Sequence, residues 1–222
     1  MPLCFYVTYK DIQLILLRSN GIMQSIMLGL LLIIVFSLAQ KVGEQITPQT
    51  AAALFTLANV FCVILITNAL FSLENHDGIR AYIDLSSISP ASFALGKWIA
   101  LLILLVITQL LLLPIMFILF NQVLYSFSSL CLGVLLFDTG MASTGILLGA
   151  ITQQSTSKDS MLTVLLFPLL LPLLLATIRI IEYACSRDAE PILSWIGVGS
   201  SFVLFFFVAL IILFPVLFSS HR

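Results

Sequence analysis

The chain has 222 residues, of which 61% are hydrophobic and only 9% charged, with a formal net charge of −1. Soluble domains carry about 25% charged residues, so this chain has too little charge to coat a water-facing surface, and lipid must be the solvent for most of its length. The same balance excludes a nucleic-acid partner, which would need a basic face.

The N-terminal residues read as a retained segment. Lys10, Asp11 and Arg18 interrupt the apolar run, and no small-residue cleavage pattern follows it. Between Thr8 and Asn20, residues Ile12, Leu14, Ile15, Leu16 and Leu17 crowd one broad side, with Lys10, Asp11, Gln13 and Arg18 mostly elsewhere. Such a stretch either lies in the membrane interface or forms the first turns of the first span. A spanning helix needs about 20 mostly apolar residues, and six segments qualify: 22–39, 51–73, 98–120, 126–151, 161–181 and 193–218. The sequence therefore predicts an all-α, polytopic membrane protein with about six transmembrane helices, a single transmembrane domain over residues 1–222. An even number of spans puts both termini on one side. Lys10, Arg18, Arg80, Lys97, Lys158 and Arg222 fall on that side, against Lys41, Arg179 and Arg187 on the other, and this excess predicts cytoplasmic termini.

The connection 74–97 carries the most information. Asp77 suits a helix cap, Ile79, Tyr82 and Ile83 share one face at helical spacing, and Arg80 and Asp84 stand four apart on another. Ser89 is a second cap, with Pro90 at the first helical position. The stretch thus predicts two short cytoplasmic helices, half apolar and half charged, able to dock a partner, with a solvated connector as the alternative.

Within the fourth span stands Asp138, followed by Thr139. A charged Asp at a helix centre costs about 2.5–3.5 kcal/mol on insertion scales, so it must be protonated, paired, or facing protein or water. One reading makes Asp138 and Thr139 a translocation or gating site. The other is a protonated acid hydrogen-bonded to Thr139, Asn59 or Asn68. Ala142, Gly145 and Gly149 line a stripe that lets helices approach closely. In the fifth span Pro168 and Pro172 lie four apart and predict a bend. The segment 182–191 reads as a solvated external loop, with an interfacial helix as the alternative.

Cys4, Cys62, Cys131 and Cys185 are widely spaced and imply no disulfide framework. His76 and His221 are loop or terminal residues by this reading, so neither suggests a haem or metal ligand. No phosphate-binding G-x-x-x-x-G-K-[ST] motif occurs, and neither does H-E-x-x-H or G-x-S-x-G. One intramembrane Asp does not supply a hydrolase, which needs a nucleophile with a base or two acids. No enzymatic activity is expected of this chain.

Three features together resemble the CcmB (haem exporter protein B) family of cytochrome c biogenesis. They are the stretch Glu74-Asn75-His76-Asp77-Gly78 running on through Asp84 and Ser89-Pro90 to Lys97, the Pro168/Pro172 pair, and Thr139-Gly140 followed by Gly145 and Gly149. Asp138 departs from the family pattern, where a small residue is expected. The resemblance implies an ABC exporter permease-like membrane subunit in the bacterial inner membrane, present in two copies with two copies of a CcmA-like ATPase. CcmC-, CcmD- and CcmE-like proteins would complete the complex. ATP would be held on the partner, haem would be the cargo, and this chain would bind no cofactor itself. Residues Glu74, Asp77, Gly78, Ile79, Arg80, Tyr82, Ile83 and Asp84 would form the coupling segment, since a subunit without an ATP site needs a cytoplasmic lever. Two other readings stay open: an ABC permease for a lipid, peptide or drug, and a membrane assembly scaffold.

Overall fold

Long apolar runs without strong breakers fold as helices in lipid, because only there is every backbone group satisfied within the segment. The computed structural model describes residues 3–18, 20–40, 46–76, 89–152, 158–186 and 192–219. These form seven helices: α1 (Leu3–Arg18), α2 (Gly21–Ala39), α3 (Pro48–His76), α4 (Pro90–Leu119), α5 (Phe127–Thr152), α6 (Lys158–Cys185) and α7 (Leu193–Ser219). Helices α2, α3, α4, α5 and α7 are long and apolar enough to cross a membrane. The remaining predicted span, 161–181, falls inside α6, which runs for 28 residues through both Pro168 and Pro172 without interruption.

The second predicted helix of the 74–97 connection does not stand alone. Ser89 caps as expected, its Oγ accepting from the Ser92 backbone N–H, and Pro90 sits in the first turn, but the helix they open is α4 itself, continuous to Leu119. Nothing between Pro90 and Trp98 stops a helix: Gly96 costs only about 1 kcal/mol there, and Lys97 is buried against a partner rather than solvated. At the other end of the chain the predicted external loop is also shortened. Helix α6 continues to Cys185, and Arg179 pairs with Glu182 one turn on at 3.0 Å.

The N-terminal stretch is a separate helix, not the first turns of α2, and its buried side is not the one its apolar residues suggested. Val7, Thr8, Asp11 and Ile15 face the bundle, while Phe5, Tyr6, Tyr9 and Leu16 are exposed. Asp11 turns inward because Lys97 of α4 is there to receive it.

Helices α2 to α7 alternate in direction. At one end, near α1, Phe93 of α4 meets Phe214 of α7 with centroids 6.1 Å apart. At the opposite end the Tyr125 and Ser126 backbone N–H groups donate to Ala184 O at 2.9 and 3.2 Å. There Gln122 Nε2 also donates to both Ile46 O and Phe120 O at 2.9 Å, joining the α2–α3 and α4–α5 connections. Helices α3 and α5 are central, with 67% of their most apolar windows buried, whereas α2 and α7 are peripheral at 22% and 17%. The peripheral pair presents Met23, Met27, Leu31 and Leu38, and Leu204, Phe205 and Ile212, outward.

Hydrocarbon gives no hydrophobic drive to helix association, so close van der Waals packing must hold these helices. The small residues of α5 supply it inside the subunit. A Cβ on Gly140 would lie 2.6 Å from Leu173 of α6, and one on Gly145 would lie 3.2 Å from Thr67 of α3. One on Gly149 would collide with the Phe71 ring. Gly149→Leu should therefore lower stability by about 1–3 kcal/mol, read as a depressed Tm in detergent. Gly197→Ala, which meets nothing within 4 Å, should leave Tm unchanged or slightly raised.

Candidate functional site

Two polar clusters are buried in this bundle, at different depths. The first lies at the α1 end. Lys97, two turns into α4, is 0% exposed, and its Nζ is 3.3 Å from Asp11 Oδ2. The ammonium also sits 5.0 Å from the Phe71 ring centroid and 5.2 Å from that of Phe93. Lys10 Nζ approaches the other Asp11 oxygen at 3.1 Å, and Thr8 Oγ1 donates to Gly96 O at 3.0 Å. A buried ammonium is tolerable only when paired and hydrogen-bonded, and the two ring faces add cation–π attraction. The result is a specific bolt between α1 and the start of α4.

This bolt flanks the predicted coupling segment on both sides. Glu74 lies in the last turn of α3, its side chain outside the described residues. Asp77, Gly78, Ile79, Arg80, Tyr82, Ile83 and Asp84 lie wholly outside them. The helices entering and leaving that segment are both held. Phe71 stands five residues before the α3 terminus at His76, and Phe93 and Lys97 stand in the first turns of α4. All three ring and cation partners converge on the contact with Asp11.

The second cluster surrounds Asp138, which is fully buried near the middle of α5. Its partner is none of the residues named from sequence. Gln109 of α4 donates from Nε2 to Asp138 Oδ1 at 2.7 Å. Thr139 turns away and donates to Leu135 O and Leu136 O of its own helix. Asn59 donates to Phe55 O of its own helix at 2.9 Å. Asn68 follows Thr67, which packs at Gly145, two turns along α5 from Asp138. Asp138 Oδ2, Gln109 Oε1 and Thr177 Oγ1 have no hydrogen-bond partner among the described residues. A narrow cleft, too tight for a water molecule, is lined by Phe55, Thr56, Asn59, Gln109, Phe137 and Thr177. It brings α3, α4, α5 and α6 together at Gln109, the partner of Asp138.

Sequence reasoning missed Gln109 and the burial of Lys97 and Asp11. For Gln109 the signal was present: a single amide in the run Leu104–Leu113. For the ion pair it was not, because Asp11 and Lys97 are 86 positions apart and each reads singly as an interfacial charge. Of the predicted kink residues, Pro172 is exposed on α6, and the Pro168 side chain lies outside the described residues.

Breaking the α1 bolt tests its energetics. Lys97→Met should cost about 3 kcal/mol, the low end for orphaning one member of a buried pair, because Lys10 still approaches Asp11. The double variant Asp11→Asn/Lys97→Met should cost less than the Lys97 change alone. Tm in detergent and proteolysis of the N-terminal helix would report both.

No curated protein matches the chain. The family model described as CcmB protein matches residues 3–198, a span that includes α1 through α6, the bolt at Lys97 and the Asp138–Gln109 pair. This chain, a multi-pass bundle, therefore belongs to the CcmB family, the membrane subunit of the haem exporter ABC system of cytochrome c biogenesis, which works with an ATPase partner and other Ccm proteins.

Proposed function

We propose that this chain transmits ATP-driven motion from a separate CcmA-like ATPase into the membrane, and so serves haem delivery and release of the haem-loaded chaperone. Two copies would pair with two ATPase copies and engage CcmC-, CcmD- and CcmE-like proteins in the bacterial inner membrane. Both termini would be cytoplasmic, as the excess of Lys and Arg on the α1 side supports. The chain would bind no cofactor, ATP would stay on the partner, and haem would be the cargo.

One observation carries this reading beyond family membership: the helices on both sides of the 77–88 segment are clamped to α1 through Phe71, Phe93, Lys97 and Asp11. In the proposed mechanism an ATPase docks on the apolar side chains of Ile79, Tyr82 and Ile83 and displaces the coupling segment, which also contains Glu74, Asp77, Gly78, Arg80 and Asp84. Rigid helices packed at crystal-like density transmit displacement rather than absorb it. Movement there would thus shift α3 and α4 as levers against α5 and α6, at whose junction the Asp138 cleft lies. Asp138 and Thr139 mark the depth at which that motion would open or close a path. Pro168 and Pro172 give α6 a place to bend, since each removes one helical hydrogen bond.

Replacing Ile79, Tyr82 and Ile83 together by Ala, or any one by Asp, should abolish co-purification of the ATPase and block cytochrome c maturation while leaving this chain in the membrane. Retention of both ATPase association and maturation would exclude the segment as the coupling element.

A further inference from the structure

The Asp138 cluster has an imbalance that defines a site. Gln109 Nε2 donates to Asp138 Oδ1 at 2.7 Å, and the second oxygen of each side chain is left without a partner. Both are acceptors when Asp138 is a carboxylate. Each is at least nine-tenths buried, Asp138 at 0% and Gln109 at 2% exposure, and the adjoining cleft is too tight to admit water. An unpaired charge at this depth is costly, and two orphan acceptors add their own desolvation cost.

Among the described residues no cation offsets it. Among the described residues the ion pairs are Lys10–Asp11, Lys97–Asp11 and Arg179–Glu182. Among the described residues, the charged groups and cysteines on the helices packed around Asp138 are engaged or placed elsewhere. On α4, Lys97 is three turns away at Asp11. On α6, Arg179 turns to Glu182 and to the Trp195 ring, 5.9 Å away, and Cys185 lies at the far terminus. On α3, Cys62 Sγ donates to Ser25 O at 3.2 Å. On α5 itself Cys131 lies two turns back, and α7 carries no Asp, Glu, Lys, Arg, His, Cys or Tyr between Leu193 and Ser219.

We propose that Asp138 and Gln109 form an intramembrane proton-binding site, in which one proton resides on Asp138 Oδ2 while the helices are packed closed. That single proton changes Oδ2 from acceptor to donor and gives Gln109 Oε1 the one kind of partner it lacks. Its release requires a base, and the base the cleft would supply on opening is water: the O–H bond of the acid breaks, its electron pair stays on the carboxylate, and the proton passes to water. Thr177 Oγ1, also orphaned and on the cleft wall, is a ready partner for that water. Opening the seam between α4, α5 and α6 and losing the proton are then one event.

Infrared spectroscopy of the full chain in lipid vesicles at neutral pH tests this. The wild type should show the carbonyl stretch of a protonated carboxylic acid, shifted by isotopically labelled aspartate and moved by deuterium oxide only after prolonged exposure. Asp138→Asn should remove the band yet remain folded, because its amide can donate to Gln109 Oε1 as the neutral acid does. Gln109→Leu should retain the band but shift it to higher frequency, as the carbonyl loses its donor. This second variant decides the matter should Asp138→Asn fail to fold. Absence of the band in wild type, or a band indifferent to both substitutions, would overturn the proposal, and immediate deuterium exchange would overturn the sealed site. In cells Asp138→Asn should abolish cytochrome c maturation at normal membrane levels. That arm alone rests on the function proposed above, so its failure with a positive infrared result would count against that function and not against the proton site.

Discussion

Hydrocarbon offers no hydrogen-bond partner, so every polar group drawn below the membrane surface must find one inside the protein. That constraint governs how this bundle is built. Most hydroxyls comply locally: Thr56, Thr108 and Thr144 return their protons to carbonyls one turn back. Other side chains reach beyond their own helix and link it to another. Lys97 reaches Asp11, Gln109 reaches Asp138, and Trp98 Nε1 reaches Ser143 at 3.0 Å. Because lipid is as apolar as leucine, such links and the close approach over Gly140, Gly145 and Gly149 supply specificity that burial alone cannot.

The two polar clusters differ in kind. The α1 cluster is charged and ring-sheathed, and it lies where α1, α3 and α4 meet. The Asp138 cluster leaves oxygens unpartnered among the described residues, and its Gln109 lies on a narrow cleft where α3, α4, α5 and α6 meet. A paired cluster at one end and an unsatisfied seam deeper in is the arrangement on which the proposed inward transmission of motion rests.

Much of this fold was legible in the amino-acid sequence, for a simple physical reason: the requirement of about 20 apolar residues per span leaves few ways to divide so hydrophobic a chain. The Ser89–Pro90 cap and the tight packing over Gly149 were legible for similarly local reasons. What could not be read was pairwise and distant. Asp11 looks like a solvent-facing residue of an amphipathic helix until Lys97 is placed opposite it, and no local rule connects positions 86 apart. The same holds for Asp138: Thr139, Asn59 and Asn68 are its candidate partners in the sequence, whereas its partner Gln109 stands on α4. Helix ends shifted as well, since α4 begins at Pro90 rather than Trp98 once Lys97 has a buried partner and need not remain in water.

In the proposed function, mechanical work enters from a second polypeptide at the α1 end. The most direct measurement is to purify the native complex in mild detergent, then resolve it and assay ATP hydrolysis in each fraction. Hydrolysis should travel with a separate ATPase subunit, be absent from this chain alone, and return to its complexed rate when the two are rejoined. Hydrolysis by the isolated chain, or cytochrome c maturation undiminished in cells without any associated ATPase, would contradict it.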